Sequence, residues 1–162
     1  MPTLLDRIRE FVEGLAEDDA DPKTTLTPRV AVATLMVRVM QADGRELPEE
    51  RAAILGLLTE TYGLDGAAAR ALLSEGTEIS EEGTDLYAPT ALLRQNVAMD
   101  DRVALVRLLF EIAYADGELH VEEDNLLKLI SDRLGVDPRD RVLARRDIAE
   151  RTGGNVIAST DG

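Results

Sequence analysis

A long pattern occurs twice in this chain, and it limits the fold more than any other feature. The stretch VAVATLMVRVMQADGRELPEERAAILGLLTETYGLDGAAARALL fills residues 30–73, and VALVRLLFEIAYADGELHVEEDNLLKLISDRLGVDPRDRVLARR fills residues 103–146. Ala42-Asp43-Gly44 and Ala115-Asp116-Gly117 lie 73 residues apart, whereas the glycines Gly63 and Gly135 lie 72 apart. The first copy therefore carries one extra residue, placed between its Ala-Asp-Gly triplet and the helix that follows. Each copy reads as an apolar helix, an acidic turn, an amphipathic helix, a glycine cap and a further helix. Two copies at this spacing are too few and too long for a solenoid. They suggest a pseudo-two-fold bundle whose two apolar helices sit side by side at the centre. The sequence permits the two acidic turns to share one end of the bundle or to occupy opposite ends.

The remaining segments fit this frame. Residues 3–16 place Leu4, Ile8, Phe11, Val12 and Leu15 on one helical face, suited to packing on the domain or on a partner. Residues 17–25 are polar and hold a proline, as a linker does. Thr27-Pro28 predicts an N-cap followed by proline at the first helical position. Pro48 predicts the next start, with a helix to about Tyr62, and Asp65 predicts a cap for a helix reaching about Glu82. Gly76 and Ser80 weaken that last helix on propensity grounds. A short helix is predicted over 89–97, and Asp100 or Asp101 is expected to cap the second apolar helix. Asp137-Pro138 predicts a final helix to about Glu150. No segment alternates as a strand does. The chain thus reads as an all-α, single-domain helical bundle of about seven to eight helices. Its expected parts are an N-terminal amphipathic helix over 1–17, a linker over 18–27, the domain over 28–150 and a flexible tail over 151–162.

Composition narrows the chemistry. There is no cysteine and a single histidine, which removes disulfides, thiolate catalysis and cysteine-based zinc sites. No nucleophile constellation and no phosphate-binding glycine loop is present, so a non-enzymatic protein is expected. Thirty-two acids against 18 bases give a net charge of -14, which disfavours nucleic acid and anionic membranes and favours cations or basic protein surfaces. No apolar run approaches the roughly 20 residues of a membrane span. The first helix carries too many charges for a signal peptide, and the expected location is cytoplasmic.

The acidic turns are the candidate site. In a calcium-binding EF-hand loop the ligands fall at positions 1, 3, 5, 7, 9 and 12, with glycine at 6. With Asp116 at position 5, Gly117 falls at 6, Glu118 at 7 and Glu123 at 12. Positions 1 and 3 would be Ile112 and Tyr114, inside an apolar helix, so the front half of such a loop is missing. A cation here would need carboxylates from elsewhere, and Asp43 with Glu50 repeats the seven-residue gap. The Gly63–Gly135 alignment, however, sets Arg51 rather than Glu50 opposite Glu123. Pooled carboxylates suit a hard divalent ion, calcium or magnesium, and His120 would allow zinc or nickel. The same residues also have architectural uses: glycine for positive φ, aspartate for turn hydrogen bonds, and glutamate at a helix start.

The doubled triplet, each at the end of an apolar helix, resembles the tellurite-resistance TerB family. The likeness covers residues 28–150, and ADGELHVEEDNLLKLISDRLGV is similar to that family's second-copy pattern. The resemblance implies a helical bundle with two central helices and a role in sensing or chelating metal ions beside membrane-bound stress-response complexes. Related domains occur in a membrane-anchored J-domain co-chaperone, which implies an interaction module. Carried over residue by residue, it points to Asp43, Glu50, Asp116 and Glu123 as metal ligands. The expected function is an accessory protein that binds a divalent cation and a partner protein. The alternative is a metal-independent module with an acidic docking face; a metal-dependent hydrolase is a third.

Overall fold

The computed structural model describes residues 4–16, 27–42, 48–61, 63–81, 85–115, 117–152 and 156–157. Eight α-helices account for most of them: α1 (Leu4–Ala16), α2 (Pro28–Met40), α3 (Pro48–Gly56), α4 (Gly66–Glu81), α5 (Tyr87–Asn96), α6 (Met99–Ala113), α7 (Val121–Arg133) and α8 (Pro138–Thr152). The all-α bundle expected from the sequence is the fold observed. No described helix is long and apolar enough to cross a membrane.

Helix α2 starts where its cap chemistry places it. The Thr27 hydroxyl accepts from the Val30 N–H at 3.2 Å, and Pro28 takes a position where a missing N–H costs nothing. Every residue from Ala31 to Val37 is buried, so the helix has no solvent face over two turns. Helix α6 is its counterpart, buried from Ala104 to Phe110. The two helices pack on each other. Helix α4 lies against α2 as α8 lies against α6, and α1 packs on both central helices through the fully buried Ile8 and Val12. Burying the large side chains of α2 alone contributes on the order of 10 kcal/mol before conformational entropy is charged.

The two central helices end alike, bond for bond. The Gln41 N–H donates to Val37 O at 3.0 Å and Ala42 N–H to Val39 O at 3.2 Å; Tyr114 N–H donates to Phe110 O at 2.9 Å and Ala115 N–H to Ile112 O at 3.1 Å. All four pairs of equivalent atoms are 73 residues apart. The next helices keep that offset, because α3 begins at Pro48 and α7 at Val121, and buried Ile54 matches buried Leu127. The offset changes only at the closing turn. Val136 N–H reaches Ser131 O at 3.0 Å, whereas Leu64 N–H reaches back one residue further, to Leu58 O at 2.9 Å. The extra residue of the first copy is thus held in a single π-helical turn, Leu57–Thr61, that prolongs α3. It does not precede the helix, as the sequence alignment implied. Glu50 consequently stands opposite Glu123, each at the third helical position, and Arg51 does not. Beyond the turn both copies close on a positive-φ glycine, Gly63 at 74° and Gly135 at 73°.

Other boundaries shift for local reasons. Helix α5 begins at Tyr87, two residues before Pro89, because the Asp85 carboxylate accepts the Tyr87 N–H at 2.9 Å and proline is tolerated within a first turn. Ala98 caps α6, which puts Asp100 and Asp101 inside the first turn beside its exposed N–H groups rather than at the cap. Of the expected tail, Arg151 and Thr152 complete α8. Val156–Ile157 pair in parallel with Leu119–His120, a two-residue contact too short for alternation to reveal. The rest of 151–162, and the linker at 18–26, lie outside the described residues.

Gly76 is not a weak point in α4. A Cβ built on it would stand 2.3 Å from the Ala33 carbonyl oxygen of α2, so only glycine permits this crossing. Gly76→Ala should lower the unfolding free energy by about 2 kcal/mol or more in urea titration. Gly14→Ala, where nothing lies within 4 Å, should leave it unchanged or raise it by about 0.5–1 kcal/mol. Equal effects of the two substitutions would refute the close crossing.

Candidate functional site

Asp43 and Asp116 lie outside the described residues, as does the side chain of Glu50, but the helices that flank them are described. Gly117, at φ 90°, follows Asp116 and donates its N–H to Tyr114 O at 2.8 Å, which turns the chain sharply away from α6. Leu119 is fully buried and anchors the loop from within. Helix α7 then starts after His120.

The acids of the Glu122-Glu123-Asp124 run have separate tasks. Glu123 is buried, and its Oε1 accepts the His120 N–H at 3.0 Å, closing the first turn of α7 on itself. Nη1 of Arg145 donates to both Asp124 oxygens, at 3.2 and 3.1 Å, and ties α7 to α8. Glu122 instead borders an open hollow of about 420 Å³ together with Arg38, Gln41, Ala42, Ser80 and Leu126. This hollow joins the last residues of α2 to the first turn of α7. Helix α7 in turn begins eight residues after α6 ends, and Asp124 in its first turn lies near Tyr114 at the end of α6, so both central helices finish at one pole of the bundle.

The other acidic turn has a matching neighbourhood. A second hollow, of about 560 Å³, is lined by Ala52, Gly56 and Glu60 of the first copy and by Glu111, Tyr114 and Ala115 of the second. Each central helix therefore ends against the amphipathic helix of the other copy. Both ends present carbonyl groups, whose partial negative charge favours a cation. Among the described residues, no three His, Asp or Glu side chains lie close enough to form a metal cluster. Of the four acids singled out in the sequence, only the Glu123 side chain is described, and one of its oxygens serves the helix start.

Sequence reading missed Tyr114. It is 2% exposed, its hydroxyl has no hydrogen-bond partner among the described residues, and an aromatic at the end of an apolar run gives no warning of this. Burial raises its pKa above the ordinary 10.0; the Arg145 charge nearby opposes that rise and Asp124 adds to it. The folded protein thus holds the phenolic proton where the unfolded chain releases it. That contribution to stability is complete below pH 10 and is lost as pH climbs through the folded value. Tyr114→Phe should therefore raise stability by about 1 kcal/mol at pH 7, read by urea titration. It should also remove the late-titrating component of the phenolate absorbance. A loss of stability at pH 7 would show that the hydroxyl has a partner.

Comparison with known proteins follows the same outline. The family model described as tellurite resistance protein TerB matches residues 29–146. The co-chaperone protein DjlA of Photobacterium profundum is 31% identical over 109 residues, which cover 65% of this chain. The chain spans 38% of the length of that relative. No solved structure matches this chain.

Proposed function

Because the chain belongs to the tellurite resistance protein TerB family, we propose that it is a non-enzymatic accessory protein of the metal stress response, cytoplasmic, binding a divalent cation at the pole where α2 and α6 end. Asp43 and Asp116, with Glu50 and Glu122 at the starts of α3 and α7, are the carboxylates offered. The observation that carries this reading is the shared hollow: Ala42, next to Asp43, and Glu122, six residues beyond Asp116, line the same walls. An oxygen-rich, cysteine-free donor set suits calcium or magnesium before zinc. Cation occupancy at this pole would neutralise its carboxylates and so change the surface presented to a partner protein, such as a membrane-bound stress-response complex. The co-chaperone designation of the relative supports a module that engages other proteins.

One observation favours a metal-independent docking face instead. None of the three acids at the start of α7 is without an interaction in the protein, and Arg38 supplies a cation within the hollow itself. Calorimetric titration of the metal-free protein with calcium, magnesium, zinc and nickel separates the two. The cation reading expects saturable heat in at least one titration. It expects Asp116→Asn to weaken binding at least tenfold and Asp132→Asn, at the far end of α7, to leave it unchanged. Heat absent with all four ions would leave the docking reading in its place.

A further inference from the structure

The opposite end of α7 carries a charge arrangement of the other sign. Tyr87, Thr90, Ala91, Arg94 and Gln95, one face of α5, line a groove of about 400 Å³ that Arg133 of α7 closes. In a chain with 32 acids and 18 bases, neither Arg94 nor Arg133 pairs with a carboxylate among the described residues. A third arginine is drawn in beside them. Arg102 donates from Nε to Val97 O at 3.1 Å and from Nη1 to Leu134 O, at the ends of α5 and α7. Its Nη1 and the Arg94 Nε stand 3.0 and 3.3 Å from one point, the place a Cβ on Gly135 would occupy. Two guanidinium groups therefore converge over this turn. The carbonyls engage Arg102, which leaves Arg94 and Arg133 pointing their charge at the groove. Tyr87, 69% exposed, stands at the other end of the same helical face.

The geometry points to a docking site for an acidic peptide segment of a partner protein. Arg94 and Arg133 would pair with its carboxylates, and the Tyr87 ring would pack on its backbone or an apolar side chain. From Tyr87 to Gln95 the face runs about 12 Å, the reach of roughly four extended residues, which a small anion does not fill. Long polyanions are disfavoured by the net charge of -14, whereas a short acidic segment meets only the local field. Helix α7 is 13 residues long, so the groove lies about 18 Å from its acidic start. This groove gives the partner interaction of the preceding reading a location, yet its test needs no divalent ion.

That test is fluorescence anisotropy with a fluorescein-labelled tetraglutamate peptide at low salt and in chelator. Saturable binding is expected, weakened at least tenfold by Arg94→Glu and by Arg133→Glu. Arg70→Glu, an exposed arginine on α4 with the same change of charge, should have no such effect, and thermal melts of each variant confirm folding. Three results would overturn the proposal: no saturable binding, an equal loss in Arg70→Glu, or complete displacement of the peptide by inorganic phosphate at matched charge, which would mark a small-anion site.

Discussion

Helix α2 must be covered on all sides, and the rest of the bundle is arranged to do so. From Ala31 to Val37 none of its residues faces water, and α4, α5, α6, α7 and α1 all pack on it. One of these approaches is close at Gly76, where α4 meets the α2 backbone without a side chain between them. That approach lets α4 run beside α2 for most of its length, and it sets where the end of α4 falls. Ser80 then donates to the Gln41 side chain at 3.3 Å, joining the close crossing to the hollow at the end of α2. Core packing and candidate site are consequently one continuous arrangement.

The second copy repeats this plan with altered chemistry. Thr34, buried in α2, returns its hydroxyl hydrogen bond to Val30 O at 2.8 Å. Its counterpart in α6, Arg107, reaches out to Asp147 of α8, while Arg151 and Glu111 approach to 3.8 Å one turn further along. Both pairings are thus partly ionic, α2 and α4 being tied by Arg29 and Glu75 at 3.3 Å, but only α2 and α4 also meet in close backbone contact. Both solutions bring the third helix of each copy against its central helix. The single π turn in α3 absorbs the one difference in length and leaves the start of the helix, with Glu50, in register with Glu123.

Much of this was legible in the sequence because it depends on local chemistry. The two apolar runs, the Thr27-Pro28 start, the glycines at 63 and 135 and the aspartates at 65 and 137 each act on neighbours in the chain, and each stands where expected. Most of what the sequence concealed depends on distant partners. Gly76 reads as a poor helix residue until Ala33 is placed beside it. Glu123 matched the last position of a calcium loop, yet its observed bond is to the His120 N–H. Sequence alignment sets the extra residue ahead of the helix, because matching Gly63 with Gly135 does not show where between triplet and glycine it lies; it is held in the π turn. Arg94, Arg102 and Arg133 are unremarkable singly and converge only when α5, α6 and α7 are folded together.

The central claim is that the acidic turns of both copies serve one pole at which a divalent cation binds. Amide chemical-shift mapping during calcium and magnesium titration tests it most directly, because it reads position as well as affinity. The account predicts saturable shifts concentrated at residues 41–44 and 116–123, with residues 130–135 at the far end of α7 unmoved. Shifts spread in proportion to surface acidity, or confined to one copy alone, would contradict it.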